Sequence, residues 1–182
     1  MGGLLIYLQI VFEYRNIMTD HDINLRIALF EPRIPQNTGN IGRTCLAYGF
    51  NLDLILPLGF SLDDKHLKRA GLDYWKSVNY HTFDSFSSYK YEMGTSRIIA
   101  FSKKGGEELY NIKFKHNDCL LFGREDYGLP IDIKDNCDLI ASIEMPKIFS
   151  TPNPENGVRS LNLSVACGIA AYNSYTKLTK SN

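Results

Sequence analysis

Cys119-Leu120-Leu121-Phe122-Gly123-Arg124-Glu125-Asp126-Tyr127-Gly128-Leu129-Pro130 is the stretch on which the reading of this chain turns. Cys119 to Phe122 is a short apolar run with the form of a buried strand. It stops at a glycine, passes three charged residues and turns again at Gly128 and Pro130. In an open α/β sheet, ligands sit just beyond the carboxyl ends of the strands. Gly123 has no Cβ and so lets a ligand approach the backbone closely. The same pattern is how any α/β protein leaves its sheet, so the flanking segments decide.

Upstream, Leu25 to Phe30 reads as a strand, followed by the extended loop Glu31-Pro32-Arg33-Ile34-Pro35, whose prolines restrict their neighbours. Asn37, Thr38 or Asn40 can each cap a helix that should stop near Gly49. Leu52 to Leu56 gives a second strand, ended by Pro57. Ser61-Leu62-Asp63-Asp64 has capping-box form ahead of a helix that should close near Gly71. Val78 to Tyr80 reads as a short strand, Ser85 to Glu92 as a helix and Arg97 to Phe101 as a strand. Downstream come a short helix after Pro130, a strand over Leu139 to Ile143, a proline-rich loop, and a helix from about Leu161 to Tyr175. Alternating strands and helices argue for an α/β fold: a mostly parallel sheet with helices on both faces.

The 182 residues suit one domain, placed at 23–178, with 1–22 as an N-terminal extension. The apolar run Leu4 to Phe12 in that extension is too short to span a bilayer, and it lacks the basic flank and cleavage site of a signal peptide. Met18 is an alternative start. Lys+Arg and Asp+Glu are both 20, so net charge gives no push toward nucleic acid; RNA binding would need a local basic patch. Cys45, Cys119, Cys137 and Cys167 include no C-x-x-C pair and read as reduced core residues, which suits the cytoplasm.

Three loops rich in glycine and polar residues follow strand-like segments: Ser102 to Gly106, Gly123 to Pro130 and Met145 to Ser160. Together they can enclose a small ligand. The chain has no G-x-x-x-x-G-K-S/T loop and no G-x-G-x-x-G turn, which argues against ATP or NAD in their usual cradles. The histidines are scattered, and no metal-ligand spacing or G-x-S-x-G elbow occurs. Arg43, one turn into the first expected helix, reads either as a solvated residue or as a guanidinium fork for phosphate or carboxylate. Lys65, His66, Lys68 and Arg69 read as a charged solvent face or as a phosphate-tracking patch beside Tyr74 and Trp75. The small residues Ala166, Cys167, Gly168, Ala170 and Ala171 permit close helix approach in a core or a dimer interface. Ser160, Asn162 and Ser164 read as caps or as ligand contacts.

Taken together, three segments resemble the motifs of the SPOUT superfamily of RNA methyltransferases, in the same order. They are Asn37-Thr38-Gly39-Asn40-Ile41-Gly42-Arg43, Leu121 to Pro130, and Arg159-Ser160-Leu161-Asn162-Leu163-Ser164-Val165-Ala166. With Pro57-Leu58-Gly59-Phe60 and Leu67 to Trp75, the chain is similar to the small single-domain tRNA (cytidine/uridine) 2′-O-methyltransferases that modify the wobble nucleotide. The resemblance spans about Ile23 to Tyr175.

That resemblance implies a C-terminal trefoil knot, an exception to the unknotted-chain rule. It also implies S-adenosyl-L-methionine as cofactor, a homodimer with active sites near the interface, and the anticodon loop of tRNA as substrate. Cofactor contacts are then expected at Phe101, Gly123, Met145 and Ser160. Arg43 matches the family's reaction-centre arginine, with Ser160 and Asn162 orienting the ribose. Asn37, Asn40, Lys65, Lys68 and Arg69 are expected on the substrate side. No metal and no membrane are implied. Two departures stand out: the loop Phe149 to Val158 is longer than is usual for small members, and the N-terminal extension has no family counterpart. The rival readings are a ribosomal RNA 2′-O-methyltransferase and a catalytically silent RNA-binding module.

Overall fold

Runs of consecutive apolar residues form the middle of the sheet, because a parallel strand covered on both faces has no side to give to water. The computed structural model describes residues 23–62, 74–146, 158 and 160–180. In chain order these form β1 (Arg26–Phe30), α1 (Pro35–Tyr48), β2 (Asn51–Ile55), a 3-10 turn (Trp75–Ser77), β3 (Tyr80–Phe83), α2 (Phe86–Met93) and β4 (Ile98–Phe101). They continue with β5 (Glu107–Glu108), β6 (Cys119–Phe122), α3 (Ile131–Asp135), β7 (Leu139–Ser142) and α4 (Leu163–Lys180). The sheet order is β3-β2-β1-β6-β4-β7-β5, and every pairing is parallel.

Side chains alternate between two cores, as the period of two requires. Leu25, Ile27 and Leu29 face α1 and α4, together with Leu120, Phe122, Ile99 and Phe101. Ala28, Phe30, Cys119 and Leu121 face the other layer, where Phe86 and Tyr89 of α2 pack. α1 and α4 lie against one another with Ile41 and Cys45 facing Cys167, Ala170 and Ala171. Gly42 is small for a reason: a Cβ there would stand 2.7 Å from a ring carbon of Trp75. Toward the amino-end side of the sheet, buried Asp53, in the middle of β2, and Asp118, just before β6, are paired with Arg26 (2.5 Å) and Arg97 (2.6 Å).

Several boundaries differ from the sequence expectation. α1 is not capped by Asn37, Thr38 or Asn40; it begins at Pro35, with Ile34 as its cap position and no side-chain cap of its own. Proline is pre-set for the first helical position, which moves the start forward. Arg43 is therefore more than two turns inside α1. The helix does stop at Gly49, whose φ of 68° is the left-handed conformation glycine tolerates. β3 lies at 80–83 rather than 78–80, and its exposed face carries no apolar alternation. β5 is two exposed glutamates at the sheet edge, with nothing apolar to announce a strand.

α4 starts at Leu163 because Asn162 caps it: the Asn162 Oδ1 accepts from the Ser164 N–H at 2.9 Å and its hydroxyl at 2.8 Å. It runs on to Lys180 because Leu178 still packs on the core and Lys177 Nζ donates to the carbonyls of Leu109 and Ile112 at 3.0 Å each. The helix expected over Lys65 to Ala70 lies outside the described residues, as does the extension 1–22.

Candidate functional site: a cavity at the carboxyl ends of three strands

β4, β6 and β7 are neighbours in the sheet, so the loops that leave their carboxyl ends rise side by side. Between them and the start of α4 lies a cavity of about 680 Å³, within the range of small-molecule sites. Its floor includes Phe101 and Phe122, stacked with ring centroids 4.5 Å apart and planes 14° from parallel. All four residues expected to hold a cofactor, Phe101, Gly123, Met145 and Ser160, line it, and so do Asn37 and Asn162. Arg43 and Asn40 do not. Lys65, Lys68 and Arg69 lie outside the described residues.

A hydrogen-bonded chain holds the three motif segments together. The Glu125 carboxylate accepts the Arg33 N–H at 2.9 Å, the Ile34 N–H at 3.2 Å and the Asn37 side-chain amide at 3.1 Å. Asn37 in turn accepts from the Asn162 amide at 3.1 Å, across 125 positions of sequence. Glu125 thus supplies, from another loop, the acceptor and negative charge that the bare amino end of α1 lacks. Asn162 is both the cap of α4 and a wall of the cavity. A Glu-Asn-Asn relay between distant segments leaves no local signal in the sequence.

Gly123 has a different physical reason from the one expected. A Cβ on it would stand 2.2 Å from the Gly128 carbonyl carbon and 2.3 Å from the Leu129 nitrogen. The loop's own backbone fills that space, so closure of the loop requires glycine. Arg124 and Gly128 close the loop by reciprocal backbone hydrogen bonds of 3.2 and 2.9 Å.

Arg43 is on the exposed face of α1, with its guanidinium 5.2 Å from the centre of the Tyr74 ring. Asn40 is exposed one turn earlier. At 100° per residue, Arg43 points about 120° around the helix from Asn37. Within one chain the arginine therefore lies outside the cavity.

Among the described residues the lining charges balance: Lys103, Lys104, Arg124 and Lys134 stand with Glu108, Glu125, Asp126 and Glu144. Cysteine chemistry has no place in it. Burial pushes the Cys45 and Cys167 thiols up, and Cys119 up to about 11, so they stay protonated in the core. Among the described residues, no group of three His, Cys, Asp or Glu side chains is placed to hold a metal ion. A second groove, of about 390 Å³ near the amino ends of β1 and β3, includes Arg26 and His81, but Arg26 is already committed to Asp53.

The cavity suits a zwitterionic, cationic cofactor with an aromatic base. A stacked aromatic floor, cationic and carboxylate side chains side by side on the described lining, and loop backbone match adenine, the amino-acid end and the sulfonium of S-adenosylmethionine.

Comparison with known proteins agrees with that chemistry. The model of the SpoU rRNA Methylase family matches residues 24–172. A tRNA (cytidine(34)-2′-O)-methyltransferase of Aeromonas hydrophila is 38% identical over 154 residues, covering 85% of this chain and 94% of the relative. A solved structure described as "Structural insights into the 2-OH methylation of C/U34 on tRNA" superposes with a TM-score of 0.77 at 44% identity, covering 88% of this chain and 99% of that one. The SpoU methyltransferase AviRb of Streptomyces viridochromogenes, in complex with AdoMet, shares the fold with a TM-score of 0.71 at 21% identity, over 85% of this chain and 60% of its own. With the family model matching most of its length, the chain belongs to the SpoU rRNA methylase family.

Proposed function

We propose that this protein is a tRNA (cytidine/uridine-2′-O)-methyltransferase that methylates the wobble nucleotide, with S-adenosyl-L-methionine as methyl donor. One observation carries the reading. The three motif segments, far apart in sequence, meet at one cavity through the contacts Glu125–Asn37 and Asn37–Asn162.

Phe101, Gly123, Met145 and Ser160 hold the cofactor in this reading. When bound, it supplies a methyl group on an electron-poor sulfonium sulfur. What remains for the chain is to align the ribose 2′-hydroxyl with that methyl and to favour loss of its proton. Ser160 and Asn162, on the wall at the start of α4, orient the ribose. Asn37 holds the Asn162 amide in place.

Arg43 is effectively always protonated, so it is no general base. Its role is to steady the phosphate next to the reacting ribose or the developing alkoxide. Because Arg43 stands on the exposed face of α1, it meets a cavity in the homodimer and not in a single chain. A stripe on α4 supports the homodimer: Val165, Ile169 and Tyr172 are exposed at helical spacing, and Leu46 of α1 is exposed as well. Asn40 shares Arg43's face and, with Lys65, Lys68 and Arg69, contacts the anticodon loop. The C-terminal segment is threaded as a trefoil knot, with residues 23–178 as the single domain, and the enzyme works in the cytoplasm. No described helix is long and apolar enough to cross a membrane.

A ribosomal RNA 2′-O-methyltransferase is the second reading, favoured by the family whose model matches. Mapping 2′-O-methylation in total tRNA and ribosomal RNA from cells lacking the protein separates the two. Loss at the tRNA wobble ribose is expected. An unchanged wobble ribose, with a site lost from ribosomal RNA, overturns the first reading.

A further inference from the structure

An exposed tyrosine side chain is ordinarily free to sample several rotamers, and Tyr91 and Tyr110 are exposed away from the cavity. Tyr127 differs in where it stands; Tyr110 too is backed by a cation, with Lys177 Nζ 5.5 Å from its ring centre, but outside the cavity. Tyr127 lines the cavity, is 83% exposed, and sits at the tip of the loop that Arg124 and Gly128 close by reciprocal backbone hydrogen bonds. Its own N–H donates to Asp126 Oδ1 at 2.9 Å.

One side of the ring is backed by the Arg124 guanidinium, 5.0 Å from the ring centre. That guanidinium is itself fixed. It donates to both Asp126 oxygens at 2.9 and 2.7 Å and to Glu31 at 3.3 Å. Hydrogen bonding from Arg124 pulls the Asp126 carboxyl down to about 2, so the pair stays charged at every working pH. The loop thus presents an 83% exposed aromatic ring with a fixed base and, among the described residues, no partner on its outer face.

What such a ring receives follows from the charges around it. Among the described residues, four cations and four carboxylates line the cavity, so they offer little net field for tracking phosphates. A stacking surface needs no net charge, because every nucleobase has a π-face. Single-stranded loops are also where bases can be splayed out and stacked on aromatic side chains.

We propose that Tyr127 is a substrate-positioning residue whose ring stacks on a nucleobase of the RNA loop within one nucleotide of the methylated ribose. The inference rests on the RNA methyltransferase reading above. Arg124 acts through Tyr127, by holding the ring.

The test compares purified wild type with Tyr127→Ala and Tyr127→Phe, measuring steady-state methylation of transcribed tRNA, calorimetric binding of S-adenosylmethionine, and thermal melting. Wild-type activity comes first: if it is absent on tRNA, the functional reading fails, and the tyrosine is not at issue. With wild type active, Tyr127→Ala should raise KM for tRNA about tenfold, within the range of one lost base stack. Tyr127→Phe should restore it, since the hydroxyl takes no part. Affinity for S-adenosylmethionine and the melting temperature should stay close to wild type.

A second readout is one that a merely structural role would not move. With 2-aminopurine placed beside the target nucleotide, wild type and Tyr127→Phe should quench its fluorescence more than Tyr127→Ala does. Unchanged KM for tRNA in Tyr127→Ala, with unchanged quenching, overturns the proposal. So does a loss confined to S-adenosylmethionine affinity, which would make the ring a cover for the cofactor.

Discussion

Replacing Glu125 by alanine should loosen the site and the fold together, because one carboxylate serves both. It accepts three N–H groups, from Arg33 (2.9 Å), Ile34 (3.2 Å) and the Asn37 side chain (3.1 Å). The two backbone groups lead into α1, whose first turn carries no acidic residue and no side-chain cap. Losing such a cap costs about 1–2 kcal/mol. The Asn37 side chain is buried, and stranding its amide costs roughly 1–2 kcal/mol more. The site opens on the cavity, and water replaces part of each bond, so a total of about 2–4 kcal/mol is expected rather than the sum of three charged hydrogen bonds.

For a chain of this length, 2–4 kcal/mol corresponds to a fall in Tm of about 5–15 °C. Glu125→Gln is the control. Its oxygen can still serve Ile34 and Asn37, while its amide faces the Arg33 N–H, donor against donor. About half the loss, roughly 1–2 kcal/mol, should remain. Urea unfolding of the three proteins measures the order, and calorimetry with S-adenosylmethionine should show weaker binding in the same order. The reasoning fails if Glu125→Ala unfolds within about 0.5 kcal/mol of wild type, the scatter of an ordinary surface substitution. It fails equally if glutamine is no better than alanine.

Other outcomes follow from the same contacts. Arg43→Ala should abolish methylation while leaving S-adenosylmethionine binding and Tm near wild type, since the side chain is exposed and outside the cavity; retained turnover contradicts its assignment. Gly123→Ala should cost cofactor binding by more than about tenfold, because its Cβ must displace backbone 2.2 Å away, a core-type clash rather than a surface change. Gly49→Ala has φ of 68° in the left-handed helical region and nothing within 4 Å of the new Cβ, so it should cost only about 1–2 kcal/mol of stability and leave binding alone. Calorimetry and urea unfolding of the two variants check the contrast.

Alkaline pH should weaken the fold. Burial raises the folded-state thiols of Cys45, Cys119 and Cys167 above the ordinary value of about 8.5, so the unfolded chain gives up these protons first. Their contribution is whole below about pH 8.5 and is lost as pH rises toward the folded values, at up to about 1.4 kcal/mol per pH unit for each thiol. Urea midpoints that stay level between about pH 8 and 10 would contradict this.

How far the fold was legible depended on burial. β1, β4, β6 and β7 were readable because each carries a short apolar run, as strands between two helical layers require, and β2 was readable although buried Asp53 interrupts its apolar residues. β5 was not, since Glu107 and Glu108 join the sheet through backbone alone. The start of α1 was misplaced for a related reason. Asn37 and Thr38 have the form of local caps, yet both are buried inside the first turns, and the acceptor comes from Glu125, 88 residues beyond Asn37.

The site was legible as a set of residues and not as a mechanism of assembly. Phe101, Gly123, Met145 and Ser160 were expected at the pocket from family resemblance, and all four line it. Gly123 lines the cavity, and the backbone of Gly128 and Leu129 gives a reason for glycine there that differs from the one the sequence suggested. Arg43 was taken to sit one turn into its helix, and the earlier start at Pro35 puts it deeper, on the outer face. Tyr127 drew no notice in the sequence, since one aromatic among charges has no period; its meaning comes from Arg124 behind it and the cavity beside it.

The central claim is methyl transfer to a tRNA wobble ribose, and reconstitution tests it most directly. Purified protein, S-adenosylmethionine and unmodified tRNA are incubated, and nucleosides from the digested anticodon loop are resolved by mass spectrometry. A 2′-O-methylated cytidine or uridine at the wobble position, absent without protein, is the predicted result. Cofactor binding with no ribose methylation on any tRNA in a total pool would contradict the account.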